Sequence, residues 1–280
     1  ILSGLDGAWV SPYVLDPNDH NTIYLGFEEL YKSTDKGDNW TQLTNLSITN
    51  NIRSVVVAPS NNQTIFISDF NNLWKTTNGG SNWSDVTSNL PSSISSITYI
   101  AIKDNDPNTL WITIGGYNNK KVYQSTDGGS SWTNISNGLL SIPVMCIVQN
   151  SQNTIETELY AGTDVGVYQK IGNNNWTPYC TGLPNVVVKE LEIHYNEGTI
   201  SAATFGRGVW KSPLNSLSTN IDDFEKITYN ISFDKNKIHD LFYIKGISYS
   251  EIINKELFIL PILKKDEQFF IYNKNFFYDK

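Results

Sequence analysis

Three segments of this chain repeat almost residue for residue: Ser33-Thr-Asp35-Lys-Gly37-Asp-Asn-Trp40, Thr76-Thr-Asn78-Gly-Gly80-Ser-Asn-Trp83 and Ser125-Thr-Asp127-Gly-Gly129-Ser-Ser-Trp132. Each follows a strand-like triplet with a central aromatic residue, and two further triplets occur without a well-formed segment after them. The five central residues are Tyr31, Trp74, Tyr123, Tyr168 and Trp210, at steps of 43, 49, 45 and 42 residues. A period of this length is typical of a four-stranded propeller blade.

The segments between the triplets favour short strands. Apolar residues alternate in runs such as 54–57, and clusters of Pro, Asn and Asp such as 16–21 provide turn chemistry. We therefore predict an all-β fold: a partial β-propeller of about five four-stranded blades, the last incomplete, over residues 1–214. A closed five-bladed ring is one alternative. Additional blades upstream of Ile1 are the other, which the short stub 1–7 favours because it offers little to complete the fifth blade.

The sequence changes character after residue 214. Residues 215–220 form a polar linker, and residues 221–280 are rich in Ile, Phe, Lys and Asn without any box. Stretches such as 227–233 and 256–260 are typical of strands, so we predict a small C-terminal β region there.

Composition restricts the classes of function. The net charge is −8, the pI is about 4.9 and the sequence has two arginines, Arg53 and Arg207, which argues against nucleic acid as a partner. No apolar run is long enough for a membrane span. Cys146 and Cys180 are too few for a disulfide scaffold or a four-cysteine zinc site, and pairing between them stays open. We predict no cofactor and no metal site, and the oligomeric state is open.

We predict a structural role for the repeated segments. A Ser, Thr, Asp or Asn side chain can accept turn N–H groups, Gly adopts positive φ, and Trp packs between neighbouring sheets. The positions assigned to this role are Ser33, Asp35, Gly37, Trp40, Thr76, Asn78, Gly80, Trp83, Ser125, Asp127, Gly129 and Trp132. The fourth repeat lacks the pattern, because Ile171 replaces Asp and the segment up to Trp176 is one residue shorter, so that hairpin should be built differently.

The repeated pattern resembles the Asp box, or BNR repeat, of secreted bacterial glycosyl-hydrolase-like and sortilin-like propellers. The phrases Tyr160–Tyr168, Thr181–Asn185 and Ala203–Trp210 extend the resemblance over residues 1–214. It implies an extracellular or cell-surface protein, and a family that contains glycosidases, receptors and assembly scaffolds. It also implies that the tail is a degenerate sorting domain for type IX secretion, although the tail lacks the usual Pro-Asn-Pro turn and Gly-x-Tyr motif.

Candidate ligand-binding residues lie in the turns that join the second and third strands of each blade. By analogy with other propellers these turns face the channel, and we predict Glu29, Asp69, Asp164 and Arg207 as ligand-binding. Asp164 and Arg207 sit in Gly-flanked turns, where a backbone can approach a ligand closely.

Two classes of function fit these residues. We favour a non-catalytic scaffold that binds a glycan or a protein. The alternative is a polysaccharide-degrading glycoside hydrolase with a carboxylate pair, whose remaining blades lie upstream. A complete sialidase is excluded, because by family analogy it needs three arginines and the sequence has two.

Overall fold

A computed structural model describes residues 7–214, apart from positions 47, 49, 93 and 95, and in the tail the strand residues 258–259 and 271–272. The chain divides into two compact units, Ile1–Thr219 and Asn220–Lys280. In the second unit, Phe258–Ile259 pairs antiparallel with Ile271–Tyr272. The predicted sorting domain otherwise lies outside the described residues and stays a prediction.

The first unit consists of five antiparallel sheets, which we call blades 1 to 5. Among the described residues, blades 1 to 4 have four strands and blade 5 has three. The strands are β1 Tyr13–Leu15, β2 Ile23–Gly26, β3 Leu30–Ser33 and β4 Thr41–Gln42; β5 Ser54–Val57, β6 Ile65–Ser68, β7 Leu73–Thr76 and β8 Ser84–Asp85; β9 Ile97–Lys103, β10 Asp106–Ile114, β11 Val122–Ser125 and β12 Thr133–Asn134; β13 Val144–Gln149, β14 Glu158–Thr163, β15 Gly166–Ile171 and β16 Thr177–Pro178; β17 Val188–His194, β18 Thr199–Thr204 and β19 Gly208–Pro213.

The blades are arranged as a propeller. Within each blade the strands pair in sequence order, and the first strands of successive blades lie side by side from β1 through β5, β9 and β13 to β17. The described residues contain no α-helix, only a single 3₁₀ turn at Thr87–Asn89. The predicted all-β propeller with an incomplete fifth blade is confirmed.

The core consists of four apolar clusters, one for each pair of neighbouring blades. On the second strand of blades 1 to 4, a large aromatic side chain points into the following blade. These four side chains are Tyr24, Phe66, Trp111 and Tyr160, all at most 1% exposed. Each is paired with a small or β-branched residue on the first strand of its blade: Val14, Val56, Ala101 and Val148. The repeated period therefore encodes a repeated interface between sheets, and burial of these rings contributes to its stability.

The repeated segments form the hairpins between third and fourth strands, and their hydrogen bonds are local. In blade 3, Ser125 Oγ donates to Asp127 Oδ1 at 2.7 Å and accepts from Gly129 N at 2.9 Å, while Asp127 Oδ1 accepts from Ser131 N at 2.9 Å. Blade 1 has the same three bonds, and in blade 2 the Asn78 amide oxygen replaces the carboxylate. The glycine two residues after the Asp or Asn has a positive φ in all three hairpins: 97° at Gly37, 95° at Gly80 and 86° at Gly129.

The indole N–H groups of the hairpins find different acceptors. Trp83 Nε1 donates to Leu43 O at 3.3 Å and Trp176 Nε1 to Ile135 O at 2.7 Å, each in the preceding blade. Trp132 Nε1 is buried without an acceptor among the described residues. The equivalent carbonyl, Val86 O, instead accepts from Asn89 N in the 3₁₀ turn.

The degenerate fourth hairpin buries its tryptophan most deeply. Trp176 is 2% exposed, whereas Trp132 is only partly buried. The sequence predicts that the box tryptophans, Trp132 among them, are buried between neighbouring sheets, and Trp132 is so only in part. Trp176 is held by its backbone N–H, which donates to Asn137 O at 2.8 Å, as well as by its indole.

This difference sets the cost of removing each ring. Trp176→Ala should lower the free energy of unfolding by about 3–5 kcal/mol, because it empties a buried site and leaves Ile135 O without its donor. Trp132→Ala should cost roughly half of that, since part of its ring is already in water. Urea unfolding of both variants would measure the two losses. A larger loss for Trp132 would contradict the burial described here.

The blade 3 hairpin should also respond to acid. Hydrogen bonds from Ser131 and Ser125 hold the pKa of Asp127 at about 2, below its usual 3.8. A carboxyl with a lowered folded-state pKa stabilises the fold above its unfolded pKa, and this contribution is lost as the pH falls through the folded pKa. The Tm of the parent should therefore fall more steeply between about pH 4 and pH 2 than that of Asp127→Asn. Asn78→Asp, at the same position in blade 2, should acquire the steeper fall. Parallel curves for all three proteins would argue against the carboxylate network.

Candidate ligand-binding end

The turns between second and third strands lie at one end of the blades, which we call the loop end. There a backbone hydrogen bond joins the start of each blade to the turn of the same blade. Gly26 N donates to Pro12 O at 2.9 Å, and Arg53 N donates to Ser68 O at 2.7 Å. Neighbouring blades are tied as well, since Ile97 N donates to Phe70 O at 2.7 Å. The box hairpins lie at the opposite end, where they bond to the turns between first and second strands. All four predicted ligand-binding residues lie at the loop end.

Asp69 is fully buried and its carboxylate is occupied. Oδ1 accepts the backbone N–H groups of Asn71 and Asn72 at 2.8 and 2.7 Å, and Oδ2 accepts Asn72 Nδ2 at 2.9 Å. Asn50, in the connection from blade 1, adds a longer contact of 3.4 Å. These contacts favour a structural role for Asp69, which holds the turn between β6 and β7.

Glu29 has a comparable internal role. Its carboxylate accepts Thr44 Oγ1 and, at 3.1 Å, the backbone N–H of Leu46. Thr44 Oγ1 in turn accepts Leu30 N at 2.8 Å. Glu29 therefore fastens the chain that leaves blade 1 to the turn that precedes β3, while its neighbour Glu28 is exposed.

Asp164 lies beside a buried lysine of the neighbouring blade. Lys121 is fully buried and donates from Nζ to Gly116 O at 2.7 Å and Gly115 O at 3.2 Å. Burial lowers the pKa of Lys121, and the Asp164 charge partly opposes that change. Asp164 Oδ1 is buried and accepts no hydrogen bond from the described residues. The attraction between these two charges acts between the loops of blades 3 and 4.

Arg207 is exposed, in the turn between β18 and β19, and Phe205 in the same turn is 72% exposed. Thr204 Oγ1 closes this turn by donating to Gly208 O at 2.6 Å. The indole of Trp210 donates to Arg207 O at 3.0 Å, so the backbone of the turn is fixed while the guanidinium faces solvent.

Sequence reasoning missed a pair of interacting side chains at the loop end, Arg53 and Phe70. The guanidinium carbon of Arg53 lies 3.7 Å from the centre of the Phe70 ring, a cation–π stack between the start of β5 and the turn after β6. Tyr117, in the corresponding turn of blade 3, is exposed. Both arginines of the chain thus lie at the loop end with a phenylalanine close by. Arg53 could have been noted from its place just before β5, but the stack depends on the register of two strands.

Elsewhere in the described part of the chain, fewer features favour a binding site. An open groove of about 570 Å³ lies at the rim beside the blade 2 hairpin, walled by residues such as Leu43 and Trp83 and by none of the predicted ligand-binding residues. No group of three His, Cys, Asp or Glu side chains in the described residues is placed to hold a metal ion. Cys146 and Cys180 are both free thiols. Within the described ranges, no helix is long and apolar enough to cross a membrane.

The model of the sortilin–Vps10 family (sortilin, neurotensin receptor 3) matches residues 28–171, just over half of the chain. The chain belongs to the sortilin–Vps10 family. The match begins at the first loop-end turn and ends at the last residue of β15, and so covers the interior blades of this family member. No curated protein sequence matches the chain.

Solved structures with the same fold include enzymes and a peptide complex. An ancestral GH74 enzyme is 25% identical with a TM-score of 0.58, over 73% of this chain and 28% of that one. The GH74 enzyme of Niastella koreensis is 22% identical with a TM-score of 0.57, over 74% and 36%. YCF48 bound to D1 peptide is 15% identical with a TM-score of 0.50, over 75% and 71%. This family member spans about a third or less of the two GH74 enzymes.

The structural role of Asp69 leads to a stability prediction. Asp69→Ala should lower the free energy of unfolding by about 1–3 kcal/mol, because the backbone N–H groups of Asn71 and Asn72 lose their buried acceptor. Glu28→Ala, an exposed carboxylate at the same end, serves as the matched control and should change stability by less than about 0.5 kcal/mol. Chemical denaturation of both variants would measure this. Equal stability of the two variants would show that the Asp69 contacts contribute little.

Proposed function

We propose that this chain is a non-catalytic binding module of an extracellular or cell-surface protein, and that its ligand, a glycan or a protein, contacts the loop end. The observation that carries the proposal is the stack of Arg53 on Phe70, 3.7 Å from guanidinium carbon to ring centre. A stacked guanidinium has restricted motion and keeps donors for a carboxylate or hydroxyl, so it loses little conformational entropy on binding.

The remaining exposed chemistry at the loop end supports the same proposal. Phe205 and Tyr117 offer ring faces, and Arg207 offers a second guanidinium. Aromatic rings and arginine are the residue types enriched where proteins recognise ligands. Asp164 is retained as a supporting residue that acts through Lys121.

The state of the carboxylates argues against hydrolysis within this chain. A glycosidase needs an acid and a base or nucleophile on either side of the scissile bond. The carboxylate oxygens of Asp69 and Glu29 accept hydrogen bonds from backbone and side-chain donors of neighbouring loop residues. The similarity to GH74 enzymes keeps a hydrolase as the second candidate, with part of the site supplied by polypeptide outside this sequence.

Binding can be tested with immobilised glycans, including β-glucans, and a peptide library in parallel. Arg53→Ala and Arg207→Ala should each weaken retention of the bound class roughly tenfold, the effect of losing one charge-assisted hydrogen bond. Lys36→Ala, in the blade 1 hairpin at the opposite end, should leave retention unchanged. No retention of either class by the parent would overturn the proposal, as would equal loss in all three variants.

The hydrolase candidate has its own assay. If this chain contributes to a hydrolase, Asp164→Asn should abolish the release of reducing ends from a β-glucan by the complete protein. Unchanged turnover would remove Asp164 from the catalytic residues. Retention in the binding assay without any turnover would favour the binding module.

A further inference from the structure

Blade 1 has an apolar side that the rest of the described chain leaves exposed. We call it the open face, defined by Tyr13 and Leu15 on β1 together with Trp9 and Val10 just before that strand. Tyr13 is 72% exposed, Leu15 55% and Trp9 99%. Large apolar side chains grouped in this way are typical of a contact surface.

The repeat shows what kind of contact this is. By strand pairing, Tyr13 occupies the position held by Val55, Ile100, Ile147 and Leu191 in the other blades. All four are buried, and Val55, Ile100, Ile147 and Leu191 belong to the four clusters that join each blade to its predecessor. The open face is therefore a fifth copy of a surface that is covered by a preceding blade wherever one is present.

The indole of Trp40 in blade 1 also lacks a partner in a preceding blade among the described residues. Trp83 and Trp176 donate from Nε1 to a carbonyl of the preceding blade. Trp40 donates instead to Gly37 O of its own hairpin, at 2.8 Å. Both the strand face and the hairpin of blade 1 thus lack the contacts that blades 2 and 4 make with a predecessor.

Blade 5 does not supply the missing surface. Where blades 1 to 4 point Tyr24, Phe66, Trp111 and Tyr160 into the following blade, blade 5 has Ser201. Its neighbours across the strands are Glu192 and Lys211, both exposed, and Ser201 Oγ lies 3.0 Å from His194 Nε2. A small hydroxyl flanked by two charges cannot fill the space that a ring occupies in the other four interfaces, and covering it would desolvate the charges.

We propose that the open face binds a further propeller blade with a large aromatic side chain at the centre of its second strand, and that blade 5 of the same chain is not that partner. The occupant is identified by the chemistry of four existing interfaces, each of which places such a ring in one apolar cluster with the equivalent of Tyr13. The array consequently has a direction: an apolar side at blade 1 that accepts a blade, and a polar side at blade 5.

A fusion tests the proposal. A copy of residues 53–96, which form blade 2 and its exit segment, is joined directly to Val10, because Ile97 follows blade 2 at the repeat position of Val10. The added blade presents Phe66 to the open face. The Tm should rise by about 5 °C or more, and hydroxyl-radical oxidation of Tyr13 should slow to the rate of a buried tyrosine such as Tyr24.

The matched control is the same fusion with Phe66→Ser in the copied blade, which reproduces Ser201. It should lose most of the gain in Tm and leave Tyr13 open to oxidation. If both fusions protect Tyr13 equally, the aromatic ring is not the determinant. If the Phe66 fusion folds, as judged by circular dichroism, but Tyr13 stays reactive, the proposal is wrong.

Measurements on the unfused chain keep the proposal testable even if the fusions misfold. Tyr13→Lys should leave the Tm within about 1 °C of the parent, whereas Leu191→Lys, at the equivalent buried position, should lower it by several degrees. A loss for Tyr13→Lys as large as that for Leu191→Lys would mean that this chain already covers the face. A dimer in light scattering that protects Tyr13 and is dissociated by Tyr13→Lys would assign the face to a second copy and overturn the proposal.

Discussion

The structure depends on one repeated contact, in which a ring on the second strand of one blade is buried against the first and second strands of the next. Tyr24, Phe66, Trp111 and Tyr160 make this contact four times. Single sheets of two to four short strands bury too little surface to be stable alone, so each blade relies on its neighbours. At blade 1, Tyr13 and Leu15 are exposed although their equivalents in blade 2 are buried, and at blade 5 Ser201 occupies the position of the ring.

The box hairpins have a different task. Their hydroxyl, carboxylate or amide groups and positive-φ glycines satisfy the backbone of a tight turn, and most of these bonds span four residues or fewer. The indole is the part that reaches the adjacent blade, and its depth varies with the acceptor it finds. Trp176 lies deepest although its hairpin departs furthest from the repeated pattern, because burial depends on the preceding blade and not on the turn.

At the loop end, acidic and basic residues are used differently. The carboxylates of Asp69 and Glu29 lie close to backbone N–H groups and are hydrogen-bonded within their own loops. Arginine is long enough to extend away from the backbone: Arg53 stacks on Phe70, and Arg207 is exposed to solvent. Membership of the sortilin–Vps10 family and the fold shared with GH74 enzymes establish a propeller module.

The sequence alone determined the blade number, the strand order and the incomplete fifth blade, because each depends on a local pattern repeated at nearly constant spacing. It also placed all four predicted ligand residues at one end of the blades, since that follows from strand order. Only the tertiary structure decided which of them are available: Asp69 and Asp164 look alike in sequence, yet one is saturated by turn amides and the other faces Lys121 of another blade. The Arg53–Phe70 stack, the depth of Trp176 and the open face of blade 1 were likewise settled by tertiary structure, because each depends on the distance between segments that are far apart in the chain.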